Sequence, residues 1–236
     1  TWVLMPGNHD SLAASELWQT IARDKPDNVI TALTPSPLML EGAHLLSAPC
    51  TTRNPGRDLT LDMVQPTPEG SIRIGLGHGG IHDFQTDGAE GPSGTIAPDR
   101  AALAGLDYLG LGDWHGQIRV GAHTWYSGTP EADSFKHAHA GTALAVTVAG
   151  AGAVPDVRPV RTGSVHWQRL AFDLMPEDDV AELVAGRLPP LEFRADTLLH
   201  IELQGRLGVQ QMQQITLALT QVAPDFLSLT HDTDAL

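Results

Sequence analysis

The stretch that decides the fold is TWVLMPGNHD, residues 1–10, in which an apolar run leads through glycine into polar side chains. Two later stretches repeat this arrangement, IRIGLGH at residues 72–78 and YLGLGDWH at residues 108–115. Short apolar runs that are bounded by glycine, proline and polar residues predict strands. Because α/β enzymes place their chemistry beyond the carboxyl ends of strands, we expect the residues after these strands to form one site.

The side chains at the three strand ends are of the types that bind divalent metals. Imidazole, carboxylate and amide oxygen together suit ions such as manganese, iron, zinc or magnesium. A lone histidine after a strand is more often a hydrogen-bonded structural residue, and Gly-Asn-His-Asp alone could be a turn. Three such ends in succession favour a metal site instead. The candidate residues are, in order, Asn8, His9, Asp10, His78, Asp113 and His115.

The spacing of Asp113 and His115 has a geometric interpretation. In an extended chain, residues i and i+2 point the same way, with backbones roughly 6.5–7 Å apart. Two such side chains could each reach one of two metals that lie about 3.5–4 Å apart. We therefore expect Trp114, between them, to face the other way and pack.

Length and composition limit the class of protein. The 236 residues suit one large domain or two smaller ones. No apolar run approaches the ~20 residues that cross a bilayer, and no secretory signal opens the sequence, so neither a membrane partner nor export is expected. The single cysteine, Cys50, cannot form an internal disulfide, which favours the cytoplasm and a buried structural thiol.

The charge balance bears on nucleic-acid binding. The net charge is −14, from 28 acidic and 14 basic residues, with no basic stripe. Phosphate neutralisation by Lys and Arg supplies most of the affinity for duplex DNA, so strong autonomous binding is not expected. A nuclease remains compatible with this charge, because bound cations offset acidic ligands and a partner can bring the basic surface.

The predicted elements indicate an α/β (α+β) fold in two domains, with bounds 1–163 and 164–236. Ser11 is a candidate cap for a helix over 12–23, and residues 53–70 form a long loop with at most a helical turn. The second domain follows a β-α-β-α-β order. The main strands are predicted at 28–33, 37–40, 43–47, 72–76, 108–111, 124–126, 142–149, 154–160, 165–174, 197–203 and 226–230, and the second domain's helices at 178–187 and 209–222.

The three strand ends resemble motifs of the calcineurin-like metallophosphoesterase superfamily. Its members carry Asp-x-His, Gly-Asp, Gly-Asn-His-Asp/Glu, a single His and Gly-His-x-His, and this sequence holds the last three. The sequence is most similar to SbcD-type DNA repair exonucleases, since YLGLGDWH at 108–115 and YSGTPE at 126–131 correspond to their Tyr-x-Ala-Leu-Gly-His-x-His and Tyr-x-Gly-Ser-Pro-Glu segments. The resemblance implies a two-sheet sandwich flanked by helices, with residues 164–236 as a small capping domain.

The resemblance also implies roles for the site residues. Asn8, His78 and Asp113 would ligate one divalent metal and His115 a second, with manganese expected first and iron, zinc or magnesium as alternatives. His9 would act as general acid or stabilise charge on the scissile phosphate, and Asp10 would orient the His9 ring.

The implied function is a metal-dependent phosphodiester hydrolase that acts on DNA as a repair exonuclease, with an SbcC-like ATPase partner and a homodimer as a further expectation. The first two superfamily motifs do not occur ahead of Gly7, so we expect them upstream and expect this segment alone to be inactive. Asp113 stands where the family has histidine. The alternatives are a phosphoesterase for small nucleotides or phosphorylated metabolites, and a degenerate non-catalytic domain. Further candidates for a substrate groove are His82, Asp83, His123, Glu131 and His137.

Overall fold

A computed structural model describes residues 1–81, 95–137 and 141–235. Within these ranges the protein is a mixed α/β protein with several sheets and few helices, which confirms the coarse fold class. The groove candidates His82 and Asp83 lie outside the described residues. None of the helices in these ranges has the length and apolar character needed to cross a membrane.

The elements are numbered in chain order. The strands are β1 (Trp2–Leu4), β2 (Val29–Thr31), β3 (Leu38–Leu40), β4 (Ala43–Ser47), β5 (Ile72–His78), β6 (Tyr108–Gly112), β7 (Ile118–Arg119), β8 (Thr124–Tyr126), β9 (Thr142–Thr147), β10 (Asp156–Arg161), β11 (His166–Leu174), β12 (Thr197–Gly205) and β13 (Ser228–Ala235). The α-helices are α1 (Ser15–Asp24), α2 (Arg100–Leu103), α3 (Val180–Arg187), α4 (Leu191–Arg194) and α5 (Val209–Val222). Short 3₁₀ helices span Leu59–Asp62, Phe135–His137 and Ala223–Asp225.

The first compact unit comprises Thr1–Thr129 and Thr142–Val160. Its largest sheet has six strands in the order β3-β4-β5-β6-β8-β7, and a separate parallel pair joins β1 to β2. Strands β4, β5 and β6 run parallel as neighbours, with His78 in register with Gly112. Their carboxyl ends therefore lie at one edge of the sheet, where the sequence placed the site.

The central strands are covered by an apolar core. Strand β6 is largely buried, whereas β5 carries Arg73 and His78 and is fully buried only at Gly75 and Gly77. The core contains Leu46, Met63, Leu109 and Tyr126, each almost wholly buried. Packing of this core fixes the strand ends from which the candidate side chains project.

The long segment 53–70 is ordered by buried polar contacts. The guanidinium of Arg73 donates hydrogen bonds to the carbonyls of Gly105 and Gln65 at 3.0 and 3.1 Å. Asp58 pairs with Arg100 at 2.9 Å, and both side chains are nearly buried. Because these contacts replace regular secondary structure, the segment needs only the single 3₁₀ turn that the sequence allowed.

The second compact unit comprises Pro130–Gly141 and Arg161–Leu236. Its three strands form one parallel sheet in the order β11-β12-β13, with α3, α4 and α5 in the connections. The predicted β-α-β-α-β order is confirmed, with the short α4 as an addition. The boundary between residues 163 and 164 stays a prediction, and segment 130–141 is grouped by its contacts with the second unit.

Candidate metal centre

Three predicted ligands come together at the carboxyl edge of the central sheet. The amide nitrogen of Asn8 lies 3.1 Å from Oδ1 of Asp113, and Nε2 of His78 lies 3.1 Å from Oδ1 of Asn8. The same His78 nitrogen lies 3.7 Å from Oδ1 of Asp113. Residues that are 70 and 105 positions apart in sequence from Asn8 thus form one polar triangle.

Two sides of this triangle join atoms that can ligate a metal, namely Nε2 of His78 with Oδ1 of Asn8 at 3.1 Å and with Oδ1 of Asp113 at 3.7 Å, whereas the third side is a hydrogen bond that the Asn8 amide nitrogen donates. Metal–ligand distances of about 2.0–2.2 Å place neighbouring donors roughly 3.0–3.5 Å apart. In the described part of the chain, no three His, Cys, Asp or Glu side chains form such a group. The Asn8 amide oxygen is the further candidate donor beside His78 and Asp113. Amide oxygen, imidazole and carboxylate together fit one divalent cation.

Asp113 has an unusual backbone conformation. Its φ is 97°, and it is the one non-glycine residue with positive φ in the ranges that the structure describes. Such a conformation costs about 1–3 kcal/mol and tends to occur at functional sites. The chain turns immediately after β6, and the turn brings the Asp113 carboxylate within reach of Asn8 and His78.

This turn corrects the predicted geometry of the Asp113–His115 segment. The extended arrangement is wrong, because a residue with φ of 97° is not extended. The extended arrangement also required Trp114 to be packed, but its side chain is 50% exposed. The side chain of His115 is exposed, and its backbone carbonyl accepts a hydrogen bond from the Thr129 amide at 3.0 Å. Its assignment to a second metal stays a prediction.

Two glycines leave space for the His78 ring. A Cβ on Gly112 would lie 2.8 Å from Nδ1 of His78, and a Cβ on Gly7 would lie 2.8 Å from its Cε1. Both distances are well inside van der Waals contact. The absence of a side chain at Gly112 and at Gly7 therefore lets the His78 ring lie against the backbone.

The surroundings of His78 favour its neutral form. Burial lowers the pKa of His78, while the negative charges of Asp113 and Asp10 act in the opposite direction. A neutral imidazole is the form that ligates metals. Burial also raises the pKa of the Cys50 thiol to about 11, so this buried cysteine is a protonated structural residue, as predicted.

The remaining residues of the first motif form an exposed turn. Oδ1 of Asp10 accepts a hydrogen bond from the Gly7 amide at 2.7 Å, so this carboxylate holds the turn that presents Asn8. His9 is exposed, and its charge contributes to lowering the pKa of His78. The catalytic role of His9, and the action of Asp10 on its ring, stay predictions.

A cavity of about 320 Å³ adjoins the triangle, and part of its wall was missed by the sequence analysis. That wall comes from the polar stretch TTRNPGRD at residues 51–58, which follows β4. This stretch reaches the cavity because β4 is a parallel neighbour of β5 and ends at the same edge. The polar wall residues outside the triangle are Arg53, Asn54, Arg57 and Thr95.

Two of the other groove candidates have structural contacts. The Nδ1 of His123 lies 2.8 Å from the Asp107 carbonyl. The carboxylate of Glu131 accepts hydrogen bonds from the Ser164 amide and hydroxyl at 2.8 and 3.2 Å. The side chain of His137 lies outside the described residues.

Comparison with known proteins does not supply a family for this chain. No family model matches the sequence. No curated protein matches it significantly. Any function has to be inferred from the three strand-end motifs and from the geometry of the triangle.

Proposed function

We propose that the protein is a metal-dependent phosphodiester hydrolase whose metal is bound by Asn8, His78 and Asp113. The observation that supports this proposal most strongly is the convergence of these three side chains at the carboxyl ends of the parallel strands β5 and β6, where Nε2 of His78 lies 3.1 Å from Oδ1 of Asn8 and 3.7 Å from Oδ1 of Asp113. In this proposal the sheets of the first unit form the two-sheet metallophosphoesterase sandwich, and residues 164–236 form the capping domain.

Each residue of the site has a chemical task in this proposal. His78 offers a neutral Nε2 lone pair, Asp113 a carboxylate and Asn8 an amide oxygen. A bound divalent ion supplies Lewis-acid stabilisation of negative charge on the phosphoryl oxygens. His9 is exposed on the adjoining turn and donates a proton to the leaving oxygen or stabilises charge there. Asp10 keeps the turn in place through the Gly7 amide.

The donor set also bears on the metal and on the partners. A carboxylate at position 113, where the family has imidazole, adds negative charge and favours harder ions such as manganese or magnesium. With a net charge of −14, DNA binding would draw its basic surface from a partner, for which an SbcC-like ATPase is proposed.

Metal titration tests the assignment of the ligands. We expect calorimetry with Mn²⁺ to give stoichiometric binding to the metal-stripped protein, and His78→Ala or Asp113→Ala to weaken it at least tenfold. His123→Ala removes a histidine with its own backbone contact and is the matched control. Unchanged Mn²⁺ binding by His78→Ala would refute the proposed centre.

Turnover tests the reaction. We expect the full-length protein to cleave linear DNA and bis(p-nitrophenyl) phosphate with Mn²⁺. His9→Ala should lower kcat while metal content stays unchanged. Full metal loading without cleavage of any phosphodiester would rule out the hydrolase.

A phosphoesterase for small nucleotides is the second candidate. The cavity of about 320 Å³ is at the lower end of the roughly 300–1,000 Å³ of small-molecule sites, and a double helix does not fit inside it. A substrate panel separates the two candidates. Activity on mononucleotide esters without cleavage of DNA would support this second function, and activity confined to polynucleotides would exclude it.

A further inference from the structure

Arg53 is a cation in the wall of the cavity. It is exposed, and within residues 1–81, 95–137 and 141–235 it forms no hydrogen bond or ion pair. Arg57, in the same wall, is bound by the Asp62 carboxylate through contacts of 3.1 and 2.5 Å. The charge of Arg57 is thus offset within the protein, while that of Arg53 is available to a ligand.

The sheet topology fixes where Arg53 lies relative to the proposed metal ligands. Arg53 follows β4, His78 ends β5 and Asp113 follows β6, and these three strands are consecutive parallel neighbours. Neighbouring strands are about 4.8 Å apart. The segment that carries Arg53 therefore begins about one strand spacing to the β4 side of His78. The cavity is bordered by the triangle and by this cationic segment.

A guanidinium beside a phosphoester site has a specific chemical use. Arginine binds phosphate through two parallel N–H···O contacts, a geometry that lysine does not reproduce. Two carboxylates, Asp10 and Asp113, lie close enough to His78 to influence its pKa, and they would repel a polyanionic ligand. A free arginine in the wall counters this repulsion on the side away from Asp113.

We infer that Arg53 binds a second, non-reacting phosphate of the substrate while the scissile phosphate lies at the Asn8–His78–Asp113 triangle. This inference rests on the proposed hydrolase function. It narrows the substrate class to phosphodiesters that carry a neighbouring phosphate, such as a 5′-phosphorylated strand end or a phosphorylated dinucleotide. The alternative to phosphate binding is that Arg53 is a solvated loop residue without a ligand.

Hydrolysis of two dinucleotides tests the inference. Thymidylyl-thymidine and its 5′-phosphorylated form share the scissile bond and differ by one phosphate. A charge-assisted contact of about 1.5–3 kcal/mol corresponds to a preference of roughly tenfold or more in kcat/KM for the phosphorylated form. Arg53→Ala should remove this preference through KM, while Arg53→Lys should retain part of it.

The matched control is Arg161→Ala, which removes another exposed arginine that does not line the cavity. It should keep the wild-type preference for the phosphorylated dinucleotide. Equal cleavage of both dinucleotides by the wild type, or a preference that survives Arg53→Ala, would overturn the inference and leave the hydrolase function standing.

A binding measurement tests phosphate binding by Arg53 independently of turnover. With Mn²⁺ present, calorimetry should show that thymidine 3′,5′-bisphosphate binds about tenfold more tightly than thymidine 5′-monophosphate, and that Arg53→Ala equalises the two. If neither dinucleotide is cleaved but this difference is found, the hydrolase function fails and the phosphate site stands. If the two ligands bind the wild type equally, or neither binds, the phosphate site is refuted.

Discussion

Asp113 is the one non-glycine residue with positive φ in the described part of the chain. Its φ of 97° belongs to a region that favours glycine, and its carboxylate lies 3.1 Å from the Asn8 amide nitrogen. Left-handed conformations cost an ordinary residue about 1–2 kcal/mol. A turn selected for stability alone would place glycine here. The aspartate is therefore better explained by what its carboxylate binds than by what it adds to folding.

Substitution of Asp113 should separate stability from metal binding. Asp113→Gly relieves the backbone strain, whereas Asp113→Ala keeps it, and both remove the carboxylate. We expect the glycine variant to exceed the alanine variant in free energy of unfolding by about 1 kcal/mol, measured by urea titration. Both should lose Mn²⁺ affinity to a similar extent. Equal stability of the two variants would show that the backbone is not strained at this position.

Gly112 should be required for the position of the His78 ring. The methyl group of Gly112→Ala would lie 2.8 Å from Nδ1 of His78, so the ring has to move. We expect Mn²⁺ affinity to fall about tenfold, in the range seen when the residues that orient metal ligands are changed. Gly121→Ala is the control, because its Cβ meets nothing within 4 Å. Wild-type Mn²⁺ affinity in the Gly112→Ala protein would mean that the His78 ring can move aside without losing its position as a ligand.

At the scale of elements, the cavity wall depends on a segment with little regular structure. Residues 53–70 contain one 3₁₀ turn, Leu59–Asp62. Asp58 caps this turn, because its Oδ1 accepts a hydrogen bond from the Thr60 amide at 2.8 Å. The other carboxylate oxygen of Asp58 meets Arg100 at 2.9 Å. Asp58 thus joins the wall segment to α2. The ion pair with Arg100 stabilises this segment, which has little regular backbone hydrogen bonding.

Removal of Arg100 should destabilise the first unit strongly. Arg100→Ala leaves the Asp58 carboxylate buried without its partner, which costs about 3–5 kcal/mol. Arg23→Ala breaks an ion pair whose side chains are 71% and 57% exposed, so it should lower the free energy of unfolding far less, because solvent screens exposed ion pairs. Urea denaturation of the two variants gives the comparison. Similar losses of unfolding free energy in the two variants would contradict the expectation that the buried ion pair contributes more than the exposed one.

Elements with a clear pattern were predicted well, and elements defined by tertiary contacts were not. The bounds of β4, β8 and α5 agree with the prediction, because apolar alternation or a long helical period marks them. Helix α1 begins at Ser15, three residues after the predicted start, and Ser11 is buried instead of capping it. The turn at Asp113 was also missed, since local propensity disfavours positive φ in aspartate and only the contacts of the site explain it.

At the scale of the whole molecule, the described residues form two apolar cores that share no residue. One surrounds β4 to β6 and the other surrounds the parallel sheet of β11 to β13. The motifs predicted that Asn8, His78 and Asp113 would meet. His78 and Asp113 do so because the parallel strands β5 and β6 end at a common edge, whereas Asn8 follows β1, which belongs to a separate sheet. The motifs could not predict that Arg53 lines the same cavity, since the stretch after β4 carries no recognisable motif and its position depends on the packing of segment 53–70.

The second unit should respond to acid through Glu131. Backbone and hydroxyl hydrogen bonds, foremost from the Ser164 amide, hold the pKa of Glu131 below its ordinary 4.5. A lowered folded pKa stabilises the folded state above the ordinary value, and this stabilisation is lost as the pH falls from 4.5 through the folded pKa. We therefore expect Glu131→Gln to lower Tm at pH 6 and to flatten the loss of Tm between pH 5 and 3. Parallel Tm–pH curves for both proteins would contradict this contribution.

Metal binding should stabilise one core and leave the other unchanged, because all three proposed ligands belong to the first unit. A ligand at 100 times its Kd stabilises the state that binds it by about 2.7 kcal/mol. Hydrogen exchange with and without Mn²⁺ measures this stabilisation separately in each core. The amides of β5 and β6 should gain protection, since these strands carry His78 and precede Asp113, and those of β12 should not. His78→Ala supplies the control, in which Mn²⁺ should protect neither core. Gains of equal size in β12 and β5 would indicate that the two units unfold together, and gains in β12 alone would place the metal in the second unit.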